Sequence, residues 1–340
     1  MVMGPVVGRL YGIYGPRRLI LGGTLLHVFG LMMASISTKY YQILLSQGIC
    51  SAIGASAIFQ PAISTVPEWF NKRRGAAFGI CSTGSSIGGV IFPIMLTHLI
   101  KKVGFPWTMR ISALIILFLL VIANLTVRQR VETKHHASKK VDHLRPFREL
   151  KSFFLMAGFF LITFGIFVPI DYVVVEARAS GMRAGILQYL VPILNAASFF
   201  GRSTSGLVAD KLGRFNIFCT VCGITGILTL GLWIPASSNA ALISFAAFFG
   251  FFSGAYISLS PALVAEVSPP EEFGYRTGLL FLCGSIGGLV TNPIAGAILD
   301  AEHGSFTGLK AFAGAFCLVG TAITFGARLH ETGFKLAAKY

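Results

Sequence analysis

Residues 8–18 read GRLYGIYGPRR, and residues 206–216 read GLVADKLGRFN. Gly8 pairs with Gly206 and Gly15 with Gly213, each pair 198 positions apart. Glu68 and Glu266 are also 198 apart, and Ile87-Gly88-Gly89 recurs as Ile286-Gly287-Gly288 at an offset of 199. Three matches at nearly one offset mark an internal repeat of long period. The matched segments lie beside or within long apolar runs, so the repeated unit is a bundle of helices. Two similar helical halves that each present the same loop to one side are the plan of an alternating-access carrier.

The composition requires a membrane. Of 340 residues, 54% are hydrophobic and only 12% are charged, about half the charged share of a soluble domain. Mean hydropathy is +0.74. A soluble enzyme, a disordered chain, a collagen, a coiled coil and a disulfide scaffold are excluded by these values. A spanning helix needs about 20 apolar residues. Runs of that kind occupy 19–37, 41–66, 76–100, 107–126, 153–175, 186–209, 215–234, 240–267, 277–299 and 308–327. A further run over residues 1–14 would rise only ~21 Å, short of the ~30 Å hydrocarbon core. The expected architecture is an all-α polytopic membrane protein with about 11 spans, the first incomplete. Its expected parts are an N-terminal half (1–126) lacking its first span, a basic linker (127–152), and a C-terminal six-helix half with a short tail (153–340). The unequal span counts lead us to expect an N-terminally incomplete carrier. The N-terminus has no charged segment followed by an apolar core, so it is not a signal peptide. The six cysteines all lie in apolar stretches and read as packing residues, Cys219-x-x-Cys222 included.

The net charge of +15 comes from 28 Lys and Arg against 13 Asp and Glu. Nineteen basic residues fall on the side of the 127–152 segment and seven on the other. Basic residues collect in cytoplasmic loops, which places that segment and the C-terminus in the cytoplasm and removes nucleic acid as the reason for the charge. The expected location is the plasma membrane. His135 and His136 in the linker invite a metal reading; a basic linker lying against anionic lipid explains them as well.

The loop pattern G-x-x-x-D-[RK]-x-G-[RK] resembles the signature loop of the major facilitator superfamily. The second copy is intact in Gly206, Asp210, Lys211, Gly213 and Arg214. In the first copy Gly12 and Ile13 stand where the acid and base belong, while Gly8, Gly15, Arg17 and Arg18 remain. The stretch EWFNKRRGAAFGICSTGSSIGG (68–89) resembles a motif of the monocarboxylate porter family, with Trp69, Phe70, Lys72, Arg73, Arg74, Ala77, Gly79, Gly84 and Gly88 in place. FGIFVP at 164–169 and the Arg202-to-Gly206 spacing are also similar to that family, in its fungal form. The resemblance implies the major facilitator fold, truncated at its N-terminus, and a secondary transporter of monocarboxylates or other organic anions, of the symporter kind.

Arg202 lies eight residues before Asp210, about 12 Å deeper along a helix and near the bilayer midplane. A buried arginine there needs a partner or a wet cavity. It is either a fork for a substrate carboxylate or a structural arginine satisfied by helix-end carbonyls. The resemblance implies an aspartate one turn earlier, where this chain has Ser198; Asn195, a further turn back, cannot titrate. Asp171, with Glu176 and Arg178 beyond it, falls near the outer interface as an outer-gate residue or a proton carrier. Asp210, Lys211 and Arg214, together with Arg17, Arg18, Lys72, Arg73 and Arg74, are the expected gating loops, and Gly12 makes the two gates unequal. The expected partners are the lipid bilayer, a small-molecule substrate carrying a carboxylate, and protons. No cofactor or metal is implied: no Walker loop, GxSxG elbow or HExxH occurs, so the chain is not expected to be an enzyme. Two other functions fit the same residues, an efflux carrier for a fungal secondary metabolite and a non-transporting truncated carrier.

Overall fold

The computed structural model describes residues 1–130 and 144–331, with side chains to residue 329. His135 and His136 lie outside the described residues. Among the described residues nine helices are long and apolar enough to cross a membrane: α1 (Gly4–Ile36), α2 (Tyr40–Trp69), α3 (Arg74–Thr126), α4 (Leu150–Ala179), α5 (Ala184–Leu212), α6 (Arg214–Trp233), α7 (Asn239–Val267), α8 (Pro270–Ala301) and α9 (Thr307–Leu329). In hydrocarbon every backbone N–H and C=O must be satisfied inside its own segment, which is why apolar runs of this length become helices. The all-α expectation holds.

Glycines decide where the long runs break. α3 is 53 residues long, and Gly104 (φ 73°, ψ 171°) divides it into two apolar stretches. α1 breaks at Gly15 (φ 71°, ψ 175°), directly before Pro16, so it contains both the short first run and the run that follows it. Gly213, 198 positions after Gly15, separates α5 from α6 with φ 99°. Only glycine takes such angles without strain. The repeat in the sequence is therefore a repeat of helix breaks.

The chain forms two compact units, Met1–Asn71 with Ile94–Asp142 and Ser268–Leu282, and Lys72–Pro93 with His143–Val267 and Cys283–Tyr340. In the first unit small residues bring helices into backbone contact. A Cβ on Gly23 would lie 2.8 Å from the Gly54 carbonyl oxygen, and one on Gly4 would lie 2.8 Å from that of Gly278. Gln60 Nε2 donates to the Gly274 carbonyl at 2.8 Å, and the Tyr11 hydroxyl donates to Glu68 Oε1 at 2.5 Å. In the second unit Trp233 stacks on Phe245 at 5.1 Å and Phe159 on Tyr256 at 4.6 Å. Val168, Val173, Leu190 and Phe249 complete an apolar core in that unit.

Two opposite charges lie inside that core. Lys310 and Glu176 are 4% and 6% exposed. Lys310 Nζ sits 2.5 Å from Glu176 Oε1 and donates to the Trp233 carbonyl at 2.9 Å. Trp233 Nε1 donates to Glu176 Oε2 at 2.6 Å. Apolar-run reading ends a span at a charge, whereas opposite charges on neighbouring helices can neutralise one another inside it. In the first unit Arg276 is buried within α8 and pairs with Glu272 of the same helix, one turn earlier, at 2.7 Å.

Candidate functional site

Asn195, Ser198, Arg202 and Gly206 follow one another at three- and four-residue steps along α5 and so share a face. Within the second unit that face meets residues 74–93 of α3. A Cβ on Gly75 would lie 2.8 Å from the Gly206 carbonyl oxygen, and one on Gly79 would lie 2.7 Å from that of Arg202. Glycines on both sides thus bring the two backbones together, and Arg202 enters the seam between them.

Arg202 is 7% exposed. Its Nε donates to Ser198 Oγ at 3.0 Å. Its Nη1 donates to the Ser82 carbonyl at 2.8 Å and to Ser85 Oγ. All three acceptors are neutral, and among the described residues no carboxylate forms an ion pair with Arg202. Nη2 makes no hydrogen bond among the described residues. Ser86 and Ser198 hydroxyls meet across the seam at 3.4 Å, and Asn195 lies directly over Gly89. The result is a buried guanidinium held by two hydroxyls and a backbone carbonyl, with no carboxylate beside it among the described residues. Such a group binds an anion in preference to a neutral molecule of the same shape.

About 12 Å along α5, Asp210 closes the same seam. Its Oδ1 accepts from the Gly75 N–H at 2.9 Å and its Oδ2 from the Ala76 N–H at 2.9 Å. These are first-turn donors of α3, which have no partner within their own helix. The carboxylate also meets the positive end of the α3 dipole. Arg214 reaches Asp210 Oδ1 at 3.0 Å and Glu266 Oε1 at 2.9 Å, and Arg74 Nη1 donates to the Ala265 carbonyl at 3.4 Å. Asp210→Ala is expected to lower thermal stability by about 1–2 kcal/mol, the usual cost of removing a helix-capping side chain, and to raise hydrogen exchange in residues 74–80. Unchanged exchange there would show that the carboxylate does not hold the helix end.

The other expected site residues are dispersed. Gly8 abuts Gly274, so the first signature copy makes the same kind of glycine contact as Gly206. Its Gly12 has open space where Asp210 has a carboxylate. Arg17 Nε reaches the Val127 carbonyl at 3.5 Å, while Arg18, Lys72, Arg73 and Lys211 are exposed. Asp171 is exposed on α4, hydrogen-bonded to Asn292, and is not part of the Arg202 cluster. Sequence reasoning missed Ser82, Ser85 and Ser86. Their signal was present: Ser82, Ser85, Ser86 and Gly89 recur at helical spacing, but only the glycines of that stretch entered the reading.

A Major Facilitator Superfamily model matches residues 1–241 and again 217–339. The chain belongs to the major facilitator superfamily. It is a multi-pass membrane transporter of that superfamily. It is 59% identical over 339 residues to the MFS transporter asaE of Aspergillus flavus, covering 99% of this chain and 77% of that protein. It is 50% identical to the fujikurins efflux protein of Gibberella fujikuroi, covering 98% and 72%. The E. coli fucose:proton symporter has the same fold, with a TM-score of 0.76 at 16% identity over 96% of this chain and 87% of that one. The human organic anion transporter MFSD10 matches with a TM-score of 0.73 at 13% identity, over 96% and 79%.

Proposed function

We propose that this facilitator exports an acidic fungal secondary metabolite and holds its carboxylate on Arg202. The observation that carries the reading is the buried guanidinium whose hydrogen-bond partners, among the described residues, are neutral oxygens. The likeness to a fujikurins efflux protein at 50% identity supports export as the direction. The monocarboxylate-porter resemblance and the efflux relatives meet at this residue: one supplies the anion and the other the larger, host-made molecule. In this reading the halves 1–126 and 153–340, joined by the linker 127–152, rock about the site in the plasma membrane, with the linker and C-terminus cytoplasmic. Asp210 and Arg214 latch the cytoplasmic end. The experiment is a deletion strain in which intracellular and extracellular acids are compared by mass spectrometry. An acid retained in the deletion, and released again on expression of this chain, supports the reading. An unchanged distribution of every acidic product contradicts it.

Ser198 carries no titratable proton in this position, so export is expected to depend weakly on pH. Ser198→Asp would place a carboxylate one turn from Arg202, and its pH profile should steepen. A steep profile in the unmodified protein would move the proton to another acid, with Asp171 the first to test.

A further inference from the structure

We propose that Ser85 and the Ser82 carbonyl are an internal stand-in for the substrate's anionic group, so that substrate capture and release of α3 from α5 are one exchange. The inference rests on Arg202 as the anion site and adds what competes for it. A carboxylate is held most firmly by two neighbouring N–H groups along one edge of the guanidinium. Among the described residues Nη2 makes no bond, but Nη1 is engaged by Ser82 and Ser85, and Nε by Ser198. Either bidentate edge that includes Nη2 therefore shares a nitrogen with an internal acceptor. On the Nη1 edge the competitors belong to α3.

The two α3 acceptors are a linked pair. Ser85 Oγ donates to the Ser82 carbonyl at 3.0 Å while it accepts from Arg202 Nη1. The Ser85 proton is thus turned away and its lone pair turned toward the guanidinium, as a carboxylate oxygen would be. Ser85 is also an exposed residue of the seam, so the exchange happens at a surface a solute can reach. A neutral acceptor binds a guanidinium less strongly than a carboxylate does. An arriving anion displaces it and removes one polar tie between α3 and α5, leaving the weaker Ser86–Ser198 contact at 3.4 Å. A ligand with higher affinity for the released arginine shifts the molecule toward the released state.

The test is hydrogen exchange of residues 79–93 in the full chain held in lipid nanodiscs, with acetate, pyruvate and benzoate as probes. Ser85→Ala should speed exchange in this segment about tenfold, the effect of losing a hydrogen bond to a charged group. Ser82→Ala should not, because Ser82 offers its carbonyl and its hydroxyl is bonded to Gly79 of its own helix. The carboxylates should speed exchange in the unmodified chain toward the Ser85→Ala rate and leave Arg202→Lys unmoved. Ser85→Ala exchanging like the unmodified chain would overturn the stand-in. A fast Ser85→Ala with no response of the unmodified chain to any of the three acids would overturn the exchange. Neither result touches Arg202 as the export residue, which an Arg202→Lys protein that exports normally would overturn.

Discussion

Arg202→Lys is expected to lower export on the order of a hundred-fold, in line with truncating one member of a buried, hydrogen-bonded charge pair. Expression should stay near normal, because the positive charge remains and the glycine contacts around it do not change. Lysine offers a single ammonium in place of a planar fork. It cannot satisfy Ser198, Ser82 and Ser85 and still offer a second nitrogen, as Arg202 offers Nη2. The check is initial export rate per molecule of protein, with surface yield measured in parallel. An Arg202→Lys protein that exports at the unmodified rate would remove this residue from the substrate site.

Glu176→Leu is expected to destabilise the protein by about 3–5 kcal/mol, because it leaves the Lys310 ammonium buried without its counter-charge. Both members of the pair are nearly inaccessible, and Trp233 is bonded to each of them. Replacing both charges by apolar residues of similar volume removes that penalty, so Glu176→Leu combined with Lys310→Met should recover most of the loss. Melting temperatures of the two single variants and the double variant in detergent provide the check. Additive losses would show that the pair is not coupled.

The fold was legible because a bilayer leaves few choices. Runs such as 153–175 and 240–267 must be helical to satisfy their backbone, and they lie within α4 and α7. The breaks at Gly15 and Gly213 were legible through their common offset and take the positive φ that only glycine tolerates well. Arg202 could be singled out because a charge that far from the signature loop is costly in lipid. Its surroundings could not be read in the same way. Ser82 and Ser85 lie more than a hundred residues before Arg202, and their partnership depends on how α3 packs on α5. The pairing of Glu176 with Lys310 was hidden for the same reason, since the two residues are far apart in sequence and meet through the packing of α4 and α9. The substrate is less legible still, since a buried guanidinium with neutral partners points to an anion and leaves the rest of the molecule undefined.

The central claim is that this facilitator recognises its cargo by a negative charge held on Arg202. The most direct measurement reconstitutes the chain in proteoliposomes and follows two forms of one compound, the acid retained by the deletion strain and its methyl ester. The account predicts transport of the acid, little transport of the ester, and loss of that preference in Arg202→Lys. Equal rates for acid and ester in the unmodified protein, or an undiminished preference in Arg202→Lys, would contradict it.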